Sequence, residues 1–189
     1  MSASPPRARR GPKPATAAHL EAAALHYLER FASSSGNLRR VLLRKVARSA
    51  RAHGTDPAAG ERIIDDIIAR YLRAGLLDDR AYAAQKAASL RRRGGSRHAI
   101  RGKLALKGVA SELIDETLAG ESHESELAAA CALVRRRRLG PLRAAGERAA
   151  FRRKDLAALA RAGFGLDVAR RVLGASDEAV LAALERGEE

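Results

Sequence analysis

An all-α protein is what this chain encodes, and three observations point to it. The apolar share is 46%, but only 3% is aromatic and there is no Trp. The apolar residues are chiefly Ala, Leu, Val and Ile; with Arg and Glu around them this is a helix former's composition, poor in the residues that suit strands. Apolar residues recur at helical spacing between breaks made of Gly, Ser, Pro and Asp. Finally, the chain resembles itself: Ser34, Leu38, Leu42 and Lys45 return 62 positions later as Ser96, Ile100, Leu104 and Lys107. At an offset of 55, Leu104, Gly108, Val109, Leu113 and Leu118 correspond to Leu159, Gly163, Phe164, Val168 and Leu173. Repeats too small to bury a core alone stack on their neighbours. The expected architecture is three tandem three-helix repeats, at 16–75, 78–120 and 122–174, stacked as an elongated, curved array.

Residues 1–15, MSASPPRARRGPKPA, carry four prolines and four basic residues and read as a disordered basic arm. Thr16 caps a helix running to about position 32, with Leu20, Ala24, Tyr27, Leu28 and Phe31 as its stripe. The 33–36 run breaks it, and a second helix follows over 37–52. A loop at 53–57 ends in Pro57, which opens a third helix that stops at Gly75. Asp78 caps a fourth helix over 79–93. Gly94 and Gly95 stop that helix, Ser96 caps a fifth, and Gly108 ends the fifth at the position after its C-cap. A short helix at 111–118 and a polar break at 119–124 follow. A seventh helix over 125–138 ends in four arginines. Residues 139–152 show little pattern. Helices at 153–162, 166–173 and 176–186 complete the chain, and 175–189 reads as an acidic C-terminal helix or tail.

Net charge is +14. A chain this basic, with its charge clustered, points to nucleic acid or to a partner that sits on it. The densest cluster lies at 79–107, with nine Lys or Arg against one acid, Asp79. Helix five carries Arg97, Arg101, Lys103 and Lys107 on both flanks of its apolar stripe, so their stems can cover the core margin while their charges stay wet. Arg91, Arg92 and Arg93 fan around a helix C-terminus, where the dipole favours cations. Seven residues are therefore the expected partner or DNA contacts: Arg91, Arg92, Arg93, Arg97, Arg101, Lys103 and Lys107. The scarcity of aromatics argues against base-stacking platforms. Helix five has no Asn or Gln to read adenine. The patch suits backbone phosphates or an acidic protein surface.

Chemistry is thin. The single Cys131 sits at helical spacing among Leu127, Ala128 and Val134 and reads as a small buried hydrophobe. The five histidines lack metal-ligand spacing, and no phosphate-binding glycine loop is present. The adjacent Asp78 and Asp79 read as helix capping and first-turn acids; Asp65 and Asp66 read as solvated face. The expectation is a protein without catalytic residues, metal or cofactor. No apolar run is long enough to span a membrane, and the N-terminus lacks the apolar segment of a secretory signal, so a soluble cytoplasmic protein is expected.

The segments AGLLDDRAYA (74–83), RRRGGSRHAIRGKLALKGV (91–109) and ARAGFGLDVARRVL (160–173) resemble RecX regulatory proteins. The middle repeat of that family is matched by Leu76, Leu77, Asp78, Asp79, Tyr82 and Ala83, then by Arg91, Gly95, Ile100, Leu104, Lys107 and Gly108. Of these, Leu76, Leu77, Asp78, Asp79, Tyr82, Ile100, Leu104 and Gly108 are the structural signature. The resemblance covers about 20–174. It implies three-helix repeats and binding to the RecA recombinase filament; a monomer is expected. It also implies restraint of recombinase, ATPase and co-protease activities in DNA repair and the SOS response, with single-stranded DNA contact by the basic face. The competing expectation is a protein that binds DNA directly, either without sequence preference or through a helix-turn-helix at 79–107.

Overall fold

The computed structural model describes residues 11–188; the first ten residues of the basic arm lie outside the described residues. Among the described residues there are ten α-helices, two short 3-10 turns and no strand. The chain divides after Asp78 into two compact units.

The first unit holds α1 (Ala17–Leu28), α2 (Ser35–His53) and α3 (Pro57–Arg73). Their stripes meet in one core of Leu20, Ala24, Leu38, Leu42, Val46, Ile64, Ile67, Tyr71 and Leu77. Local signals set the boundaries. Thr16, Ser34 and Asp56 each accept a backbone N–H from the first turn of the helix they precede. The serine run is thus more than a break. Ser34 is fully buried and caps α2, so Ser35 and Gly36 are already helical. That cap also corrects the expected end of α1, which stops at Leu28 rather than near 32, because the chain must turn to bring Ser34 into place. The end of the arm is held too: the Ala15 N–H donates to Ser49 Oγ at 2.8 Å, and the Pro12 carbonyl lies 2.7 Å from His53 Nε2.

The second unit contains two cores. α4 (Asp79–Arg92), α5 (Arg97–Leu106) and α6 (Ser111–Ala119) enclose Ala83, Ala87, Leu90, Ile100, Leu104, Val109, Ile114 and Leu118. α7 (His123–Arg137), α8 (Arg148–Arg161), α9 (Leu166–Leu173) and α10 (Glu178–Arg186) enclose a larger group around Leu133, Leu159, Val172 and Leu181. The 175–189 segment therefore supplies core, since Ala175 and Leu181 are buried in that cluster. The internal offsets hold at residue level. Ser34 and Ser96 are both buried N-caps of middle helices, and Leu38, Leu42, Ile100 and Leu104 are all fully buried.

The third correspondence does not reach the start of its middle helix, where Ser96 falls on Phe151 inside α8 rather than on a cap. Ile100 corresponds to Asp155, which is only 2% exposed. Its carboxylate accepts the Gly140 N–H at 2.9 Å and both Nε and Nη2 of Arg143 at 2.8 Å. Arg148 donates to the carbonyls of Pro141 and Ser176 at 2.7 and 2.5 Å. Residues 139–152, which lack a sequence pattern, are ordered by these polar anchors into turns at Gly140–Leu142 and Ala145–Glu147 and the start of α8.

Candidate functional site

The site begins with how the helices of the second unit end. At the end of α4 the Gly94 N–H bonds the Arg91 carbonyl and the Gly95 N–H bonds the Leu90 carbonyl. The same pair of bonds closes α5 at Gly108, α7 at Arg138 and α8 at Gly163. Three of these four ends place glycine in the left-handed region; the fourth places Arg138 there, at φ 53°. Arg138 is the one non-glycine residue with positive φ among the described residues. Left-handed backbone costs an ordinary side chain about 1–2 kcal/mol. An arginine kept where its neighbours use glycine is strain located on a charged surface.

Two arginine runs meet at this surface. A Cβ on Gly94 would lie 2.7 Å from the Leu133 nitrogen and 2.9 Å from the Ala129 carbonyl oxygen, so the end of α4 rests directly on the backbone of α7. Arg136 Nη1 then donates to the Arg93 carbonyl at 2.5 Å. Arg92 and Arg93 from one helix end thereby join Arg136, Arg137 and Arg138 from another, all five exposed. The dipoles of both helix ends add to the attraction for cations there.

Arg91 does not share that exposure. Its side chain is 16% exposed. Nη1 donates to Glu126 at 2.6 Å and to the Gly95 carbonyl at 3.0 Å, while Nε and Nη2 engage Glu121. Glu126 in turn accepts the Arg97 N–H. Arg91 therefore pins the end of α4 to the α6–α7 connection and to the start of α5. Arg135 is likewise turned inward, 2.6 Å from Glu185 of α10. Arg101 pairs with Asp115, and Arg80 pairs with Glu116 at 2.6 Å. Charge counted along 79–107 thus overstates what a ligand meets. Arg97 and Lys103 are exposed, and Lys107 is half-buried at the end of α5.

The sequence signature divides by role. Leu77, Ile100 and Leu104 are buried, and Gly108 has φ 72°. Leu76, by contrast, is 57% exposed. Asp78 immediately precedes α4 and Asp79 begins it. Cys131 is fully buried, and burial pushes its thiol up to about 11, which makes it inert at neutral pH. Among the described residues, no group of three or more His, Cys, Asp or Glu could hold a metal ion. Nor is any helix among the described residues long and apolar enough to cross a membrane. The 135–138 arginines are the residues sequence reasoning left out. Their signal was the match of LVRRRRLG with LRRRGG, which places Arg138 over a glycine.

Fold and surface together define an all-helical protein in which two arginine-rich helix ends converge on one exposed surface. The family model described as RecX, second three-helix domain, matches residues 78–118. The regulatory protein RecX of Myxococcus xanthus (strain DK1622) is 44% identical over 169 residues, covering 88% of this chain and 90% of that protein. The regulatory protein RecX of Agrobacterium fabrum (strain C58 / ATCC 33970) is 28% identical over 155 residues, 82% of each chain. No solved structure matches. The chain belongs to the RecX family.

Proposed function

We propose that this protein regulates a RecA-type recombinase filament by binding it, with no chemistry of its own. The observation that carries the reading is the 44% identity to a RecX regulatory protein across nearly the whole of both chains. The exposed arginines supply the physical means. Guanidinium groups bind carboxylate and phosphate alike in forked geometry, so Arg92, Arg93, Arg97, Arg136, Arg137 and Arg138 suit an acidic protein surface or the phosphates of a coated single strand. Lys103 on α5 and Lys107 at its end add positive charge, while Arg101 of the same helix is paired with Asp115. Occupying that surface hinders DNA pairing and favours filament disassembly. In this reading the protein is a cytoplasmic monomer.

The test is ATP hydrolysis by a RecA filament on single-stranded DNA, with the protein added below stoichiometry. Inhibition is expected, and it should weaken when Arg92, Arg93, Arg136 and Arg137 are replaced by Ala. Unchanged hydrolysis at every ratio would sink the proposal. A footprint at one preferred duplex sequence would instead favour direct DNA readout.

A further inference from the structure

The first unit carries a second surface that the arginine helix ends do not explain. A groove of about 300 Å³ runs between α1 and α2. Tyr27, Phe31 and Val41 line it together with Arg30, Arg44 and Arg48. Val41, Arg44 and Arg48 fall at i, i+3 and i+7, so they share one face of α2. The α1–α2 pair that shapes the groove is fixed, because Asn37 Nδ2 donates to the Tyr27 hydroxyl at 2.9 Å.

Two features make this groove unlike ordinary surface. Phe31 is 52% exposed, a large aromatic left open beside other apolar groups. The arginines of the groove also lack acidic partners: Arg30 lies over Phe31 and Arg48 Nε donates to the Arg44 carbonyl at 3.2 Å, but among the described residues Arg30, Arg44 and Arg48 have no carboxylate within ion-pair reach, and none lines the groove. Several acids elsewhere in the unit are engaged. Arg39 is held by Asp65 at 2.7 Å and lies 3.7 Å from Glu61, Arg70 is held by Glu21 at 3.1 Å, and His26 lies 3.7 Å from Glu29. Arg39, Arg62 and Arg70 are thus paired, whereas Arg30, Arg44 and Arg48, with Lys45 beside them, surround an apolar trough that no carboxylate lines.

We propose that the α1–α2 groove is a docking site for an acidic amphipathic segment of a partner protein. Bulky apolar side chains would enter the trough, and carboxylates would pair with Arg30, Arg44 and Arg48. Such a segment supplies both halves of the complementarity, in the manner of a helix laid in a groove. A nucleobase fits less well. Tyr27 packs on Phe31 at 5.2 Å between ring centroids, and the Arg30 guanidinium lies 5.9 Å from the Phe31 centroid, so the ring is already engaged. Stacking would have to displace those neighbours.

The test needs no recombinase, so its outcome is separate from that of the proposed function. A fluorescent peptide of about 15 residues, enough to sustain a helix, carries Leu on one face and Glu on the other. Its binding to the full chain is read by polarisation at physiological salt. Saturable binding is expected. Arg44→Glu combined with Arg48→Glu should weaken it about tenfold, and Phe31→Ser should weaken it by a similar factor. Both variants change exposed residues, and unchanged helical circular dichroism verifies the fold. Control peptides with Lys for Glu, or Ser for Leu, should bind more weakly than the probe. The proposal is overturned if the probe fails to saturate, if both groove variants bind it as the parent does, or if either control binds equally. Two further results would reassign the groove. Tighter, groove-dependent binding of an oligothymidylate would give it to nucleic acid. Groove-dependent self-association in sedimentation would give it to a second copy.

Discussion

Asp155 shows how one residue can order a segment. It stands where the corresponding helix of the preceding group has Ile100, and in place of a core methyl it offers a carboxylate to Gly140 and Arg143. The Arg143 guanidinium holds its carboxyl below the ordinary 3.8; the Gly140 N–H helps and burial opposes. A lowered folded value means the contribution is complete above pH 3.8 and is lost as pH falls through the folded value. Asp155→Ala should destabilise by roughly 3 kcal/mol at pH 7, because it leaves a half-buried guanidinium and a buried N–H without their partner. Denaturant melts at pH 7 and near pH 3 check this, and the gap between parent and variant should narrow in acid. Arg138 argues in the opposite direction. Arg138→Gly should raise stability by about 1 kcal/mol by relieving positive φ, while weakening polyanion binding. Thermal melts and a binding titration on the same variant separate the two effects.

At the level of elements, the contact between α4 and α7 is what makes one surface out of two arginine runs. Gly94 combines φ 73° with backbone atoms of α7 under 3 Å from any Cβ. Gly75 has φ 71° but open space around it. Gly75→Ala should therefore cost only backbone strain, about 1 kcal/mol. Gly94→Ala should cost about 3 kcal/mol and should also reduce anion binding, since it pushes the α4 end off α7. Equal losses in chemical denaturation would contradict that account. Arg91 belongs to the same scale. It fastens α4 to Glu121 and Glu126 rather than presenting charge to a partner.

For the whole molecule, a net charge of +14 promises polyanion binding, but internal pairing governs how much of it acts. If the arginine surface meets single-stranded DNA phosphates, each contact removed should flatten the log–log salt dependence by about 0.7. Replacing Arg92, Arg93, Arg136 and Arg137 by Ala should flatten it by several such steps, whereas Arg80→Ala should leave it unchanged, because Arg80 is already paired with Glu116. Titrations of an oligothymidylate at several salt concentrations supply the slopes. A parent slope retained by the fourfold variant would remove this surface from DNA contact.

The sequence by itself determined the helical class, most helix boundaries, the buried positions at offsets of 62 and 55, and the caps at Thr16 and Ser96. Those features rest on periodicity and on bonds between residues three or four apart, which local sequence encodes. Only the tertiary structure decided which arginines face outward. Arg91 is turned inward by acids 30 and 35 positions away, and Arg136 reaches a carbonyl 43 positions away. The ordering of residues 139–147 likewise rests on Asp155, whose burial no local pattern announces. Charge is written in the sequence, but its availability depends on long-range pairing that only the packed chain sets.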